Sequence, residues 1–203
     1  MVYQVRPFAD HLNRGIDLDY KKRSHDPSTS WITSILRSTT IPQENAPILI
    51  VSQRPTPLPD AFVPSTDFWC VSAPLRDLMT SLFGSKVAFY EVPVVFKVDN
   101  TPLPSTWFVA FNQFCARIDW QKSRVTSWRP PQAPEIEAIT LADVPFAAVF
   151  QALPNDLNSI WIEKTVREPG RIFSPPIHAW VTDAAGEALK AAFPDDIILR
   201  KHK

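Results

Sequence analysis

Between Phe68 and Val98 the spacing of apolar residues changes twice, and the change reads strand, helix, strand. Phe68 to Val71 are apolar and β-prone. Ser72 stands where a helix N-cap belongs, its hydroxyl placed to accept a first-turn amide, and Pro74 falls just inside, where its missing N–H costs little. Leu75, Leu78, Met79 and Leu82 follow at i, i+3, i+4 and i+7, Arg76, Asp77, Thr80 and Ser81 take the other face, and Gly84 supplies a left-handed stop. Val87 to Val98 reads as a long strand, apolar on both faces, with Pro93 confined to a bulge or an edge because it has no donor for a ladder.

The same order of signals returns near the C-terminus. Trp180 and Val181 lead to Thr182 as cap, Ala185, Ala188, Leu189 and Ala192 form the stripe, and Phe193 and Pro194 end it. Val87 and Ile197, which open the following strands, both lie fifteen residues after their caps. Duplication would produce this agreement, and so would the common geometry of a capped helix between strands. With strand–helix–strand units at 68–98 and 177–199, the chain predicts an α+β fold: a largely antiparallel sheet with two or three short helices.

Elsewhere the pattern is shorter. Met1 to Val5 and Ile48 to Val51 read as strands, and Arg6 to Ser30 as a polar loop carrying Lys21, Lys22 and Arg23. Trp31 to Arg37 fits neither period. Four of the ten residues from Pro55 to Pro64 are proline, a stiff surface connection whose Leu58, Phe62 and Val63 dock on the core. Ser105 to Ile118 predicts a second long strand, antiparallel to the first, with Phe89 and Phe96 meeting Trp107, Phe111 and Phe114 across the pair. Asp119 to Ser123 is a turn, Arg124 to Trp128 and Glu135 to Ile139 are strands, and Pro145 to Leu153 is a short helix. Ser159 to Arg167 alternates like a half-exposed strand; Pro169 and Gly170 turn the chain, Ile177 to Val181 and Ile197 to Leu199 close the sheet, and Arg200 to Lys203 is a basic tail.

Composition narrows the function. A length of 203 residues with 45% hydrophobic content suits one domain, 1–203. Acidic and basic residues balance at 21 each, so no overall field draws the chain to nucleic acid or to anionic membrane. No apolar run reaches the roughly twenty residues that span a bilayer, and the first residues lack the apolar core of a secretory signal, so a cytoplasmic address is expected. The count of 21 Pro against 4 Gly predicts stiff loops, which lose less entropy on docking than mobile ones. No glycine stands in a phosphate-cradling motif.

Reactive constellations are sparse. Cys70 and Cys115 sit in apolar segments without metal-ligand spacing and read as buried small hydrophobes. His11, His25 and His202 fall in loops or the tail; His178 alone is placed in a strand, without the serine elbow of a hydrolase, and a structural role suits it better. Carboxylates for acid–base work must converge across a cleft, which spacing alone does not show for Glu91, Asp99, Asp119, Glu135, Glu137, Asp143 or Glu163. No cofactor and no metal are expected. Trp120 and Trp128 stand out, beside a turn and a proline break and flanked by Lys122, Arg124 and Arg129; exposed Trp with Arg is the composition of an interface hot spot, although a tryptophan lid over the sheet end has the same composition.

Three pieces together resemble one family. WCVSAPLRDLMTSLFGSKVAFYEVPVVF, FNQFCARIDWQKS and HAWVTDAAGEALKAAFPDDIILRKH, spread over residues 68 to 201, are similar to segments of the bacterial immunity proteins of polymorphic-toxin systems, the α+β group numbered eleven and its relative numbered forty-three. The matching positions are Val71 and Ser72, Asp119 and Ser123, and Val181 and Thr182, which are caps and turn residues. The resemblance implies a non-enzyme that binds and blocks a cognate toxin domain, with residues 1–67 as a variable, proline-rich part. The expected contacts are Trp120, Lys122, Trp128 and Arg129, then Tyr20, Lys21, Lys22 and Arg23. The rival readings are a small hydrolase using His178 and a structural subunit with a wide apolar patch.

Overall fold

The computed structural model describes residues 1–7, 9–10, 16–19, 48–52, 58–65, 68–144, 146–153, 155–175 and 178–202. Tyr20 to Arg23, His11, His25 and the segment 31–37 lie outside the described residues. In chain order the strands are Val2–Pro7 (β1), Ala9–Asp10 (β2), Ile16–Asp19 (β3), Ile48–Val51 (β4), Ala61–Ser65 (β5), Phe68–Val71 (β6), Val87–Phe96 (β7) and Pro102–Phe111 (β8). They continue with Phe114–Cys115 (β9), Val125–Trp128 (β10), Glu137–Leu141 (β11), Ile160–Glu163 (β12), Val166–Glu168 (β13), Arg171–Phe173 (β14), Ala179–Thr182 (β15) and Ile197–His202 (β16). The described α-helices are Ala73–Phe83 (α1) and Asp183–Ala192 (α2). The fold is α+β and rich in sheet. The chain clusters into two units: a terminal unit of Met1–Arg6, Gln113–Ala188 and Leu199–Lys203, and a middle unit of Pro7–Asn112 and Leu189–Ile198.

The middle unit carries a seven-stranded sheet ordered β2-β5-β6-β8-β7-β4-β3. Its core joins Leu49, Val51, Phe62, Cys70, Val92, Val94, Phe108 and Ala110, with Leu58 packed against it. Helix α1 forms where its capping signals place it: the Ser72 hydroxyl accepts from the Leu75 amide at 3.4 Å, Gly84 takes φ +54°, and its N–H donates to the Thr80 carbonyl. Leu75, Met79 and Phe83 face inward, and the Arg76 guanidinium lies 4.2 Å above the Trp107 ring. Pro93 sits at a shift of register between Val92 and Val94, where no ladder donor is required of it.

The terminal unit holds a five-stranded sheet ordered β16-β1-β15-β12-β9 and a four-stranded sheet ordered β10-β11-β14-β13. Its core gathers Val2, Ile118, Leu141, Ala147, Ala148, Trp161 and Trp180. The Phe150 ring meets Trp161 and Trp180 edge-on at centroid distances of 6.0 and 5.1 Å.

Several sequence expectations are corrected. The single sheet expected is three mixed sheets, in which most described pairings are antiparallel and β2–β5, β4–β7, β9–β12 and β11–β14 are parallel. In each strand–helix–strand stretch the two strands are separated in the sheet by a third, β8 between β6 and β7, and β1 between β15 and β16. The loop expected from Arg6 onward contains β2 and β3, because Ile16–Asp19 pairs antiparallel with β4. The long strand from Ser105 breaks after Phe111, so Phe114 belongs to another sheet, and the register sets Phe111 opposite Val87 and Trp107 opposite Glu91.

No helix forms over the described residues of 145–153. Phe146 takes φ +58°, and the chain runs extended beside 117–124: Asp119 N–H donates to the Val149 carbonyl, Gln151 N–H to the Arg117 carbonyl and Arg124 N–H to the Ala147 carbonyl. Tertiary partners for these backbone groups outweigh a weak helical pattern. The half-exposed strand expected over 159–167 is the buried β12, flanked by β15 and β9, and it ends at Glu163. The expected basic tail is strand as far as His202.

Gly186 marks a close approach of α2 to β1 and β15. A Cβ there would stand 2.6 Å from Tyr3 Cδ2 and 3.2 Å from Val181 Cγ2, and the Tyr3 hydroxyl is held by donating to Glu187 Oε1 at 2.5 Å. Gly186→Ala is therefore expected to lower the unfolding free energy by about 1–3 kcal/mol, against the gain of about 1 kcal/mol that helix propensity alone gives. Urea unfolding decides between the two signs.

Candidate partner-binding face

The stretch that leads to Trp128 is built on two acceptors. Glu163, 5% exposed, takes the Arg117 amide at 2.8 Å and the Ile118 amide at 3.4 Å on one carboxylate oxygen, and the Trp161 Nε1–H at 2.6 Å on the other. Burial pushes its carboxyl up, opposed by these donors. Asp119 follows directly. Its carbonyl accepts the Ser123 amide at 3.0 Å and hydroxyl at 2.6 Å, and Oδ1 accepts the Lys122 amide at 3.2 Å. Lys122 Nζ lies 2.9 Å from Asp119 Oδ2, and this bond above all holds the Asp119 carboxyl below its usual range. The Ser123 Oγ also accepts the Val149 amide at 2.9 Å, so the turn clamps the extended segment beside it.

From this turn the chain enters β10, whose four residues are all exposed and which forms an edge of its sheet, paired with β11 from Val125↔Leu141 to Trp128↔Ala138. Trp128 is 51% exposed, Val125 and Arg124 are exposed beside it in sequence, and Arg129 Nη1 donates to the Pro134 carbonyl at 3.0 Å. Trp120 is different. It is half-buried, tilted against Phe173 at 5.3 Å, and packs on the core around Trp161 and Trp180. Lys122 is exposed and tethered to Asp119. Ser72 caps α1 and its hydroxyl donates to Asp60 Oδ1. The Thr182 hydroxyl, expected as a helix cap, donates to the Leu157 carbonyl and accepts the Ser159 amide at 3.2 Å, fastening the chain before β12.

His178 lines a cleft of about 320 Å³ with Gln4, Arg6, Asp143, Arg200 and His202. The only described wall hydroxyl is that of Thr140, and neither cysteine lies there; Cys70 is fully buried in the middle unit, where burial pushes its thiol well up, and Cys115 is half-buried. His202, assigned to a tail by sequence, is 2% exposed at the end of β16, with its ring edge-on to Trp180 at 4.9 Å. Its Nδ1 accepts the Ala148 amide at 3.1 Å. Burial first, and Arg200 second, lower its pKa from 6.5 to about 4. The signal that places it is the alternation of Arg200 and His202 with Leu199 and Lys201. Among the described residues no cluster of three or more His, Cys, Asp or Glu is arranged to hold a metal ion.

The model of the immunity protein family (Imm11) matches residues 40–147, just over half of the chain, and the chain belongs to this family. The match begins earlier than the resemblance at 68 and ends before the third resembling piece, 178–202. Comparison with curated proteins gives no match.

Two measurements test the site's framework. Ser123→Ala leaves the Val149 amide without its acceptor and is expected to cost about 1–2 kcal/mol in urea unfolding. Unfolded His202 takes up a proton near pH 6.5 that the folded chain refuses until about pH 4, so stability falls as pH is lowered through that window. The drop is expected to be about 2 kcal/mol, and His202→Gln flattens it.

Proposed function

We propose that the chain neutralises a cognate toxin domain by stoichiometric binding, without catalysis, in the cytoplasm, and that the edge strand β10 is the docking element. Membership of the immunity family supports a toxin as partner. The observation that carries the docking element is Trp128: a large aromatic ring half in water, on an edge strand, between Arg124 and the tethered Arg129. A rigid ring of this kind loses little conformational freedom on burial, and Arg beside it provides charged hydrogen bonds at the margin. The proline-bordered turn after β10, where the Ala133 amide donates to the Pro130 carbonyl at 3.0 Å, presets the neighbouring backbone. Trp120, committed to Phe173 and the core, serves as support for this face instead of an anchor.

Calorimetry with the toxin domain encoded beside this chain is expected to give a one-to-one complex, and its absence would defeat the reading. Trp128→Ala is expected to weaken that complex by about 2 kcal/mol or more, roughly thirtyfold, with unchanged thermal stability. Trp120→Ala is expected to lower stability instead. Equal affinity of wild type and Trp128→Ala would remove β10 from the interface.

A further inference from the structure

We propose that the cleft walled by β1, β16 and the end of β11 is a binding site for a carboxylate. Gln4 and Arg6 alternate on β1, Arg200 and His202 alternate on β16, and side chains two apart along a strand share a face. The two strands are neighbours in the sheet, so all four side chains, each a hydrogen-bond donor, border one cavity of about 320 Å³. The decisive group is His202. With Nδ1 accepting the Ala148 amide, the neutral ring carries its proton on Nε2, and this buried N–H has no partner among the described residues. A buried donor without an acceptor is costly, and an oxygen entering the cleft removes that cost.

The cleft already holds one carboxylate at its rim. Arg200 Nη1 donates to Asp143 Oδ1, and Arg200, Arg6 and His178 together lower the Asp143 carboxyl from its ordinary range. Yet the Asp143 side chain is 89% exposed, whereas that of Arg200 is only 28% exposed. Asp143 is thus a tethered competitor on the outside of a donor-lined cavity. An incoming carboxylate has one oxygen for Arg6 or Arg200, and a small shift of the enclosed His202 ring, which lines the cleft, brings its Nε2–H to the other. A cation is repelled by two guanidinium groups, and an apolar ligand leaves the histidine donor unmet.

The probe is acetate at constant ionic strength, followed through the side-chain nitrogen signals of His202 and His178 by NMR. Saturable shifts are expected. Arg6→Gln, at an exposed position, should raise the half-saturation concentration about tenfold, and Asp143→Asn, which removes the competitor, should lower it about threefold or more. Methylammonium should produce no saturable shift. Absence of saturation with acetate, or acetate shifts indifferent to both substitutions, overturns the proposal. The acetate measurement involves no toxin, so its failure is separate from failure of the toxin reading. Once acetate binding is established, weakened toxin binding by Arg6→Gln assigns the natural carboxylate to an acidic side chain of the toxin, and unchanged toxin binding assigns it to a free carboxylate.

Discussion

A carboxylate inside a tryptophan-lined core is tolerable only when every lone pair that matters has a donor, and Glu163 meets that condition with two backbone amides and an indole. The arrangement fixes more than itself. It pins residues 117 and 118 against the end of β12, sets where Asp119 begins its turn, and so decides where β10 starts. The exposed edge that carries Trp128 is positioned by a buried carboxyl that lies well downstream, at the end of β12.

The two candidate surfaces of the terminal unit differ in chemistry. Around β10 the features are an exposed ring, guanidinium groups and a backbone stiffened by Pro130, Pro131 and Pro134. That combination suits a broad, preformed contact with a folded partner, where area and rigidity matter more than a reactive group. The cleft beside Arg6 and Arg200 is concave and donor-rich, and it suits one small charged group. A single chain can use both, since a protein partner offers flat surface and acidic side chains together.

The parts legible from sequence were those whose signals are local. Ser72, Pro74 and Gly84 act within one helix, and Pro93 lacks its donor whatever surrounds it, so α1 and the bulge follow from neighbours alone. The parts that were not legible depend on distant partners. Residues 146–151 have a weak helical pattern, but amides answered by the Ser123 hydroxyl and the His202 ring hold them extended. Thr182 has the right identity for a cap, yet its hydroxyl bonds residues more than twenty positions away. Parallel pairings such as β4–β7 join strands far apart in sequence, which periodicity does not register. For the candidate face, the exposure of Trp128 was readable from its flanks, while Arg6, Arg200 and His202 meet because β1 and β16 lie side by side, and Asp143 joins them from just past β11.

The place of β1 has a consequence for biosynthesis. Its residues pair with β15, Val2 opposite Thr182, and it also neighbours β16, so during synthesis β1 waits for both of its partner strands until the intervening chain has been made. During that interval Val2, Tyr3 and Val5, all fully or nearly enclosed at the end, face water beside unmatched backbone groups. A contact of such long sequence separation forms slowly, and an apolar strand left open meanwhile is prone to wrong pairing. The nascent chain is therefore vulnerable at a strand that the finished molecule largely encloses.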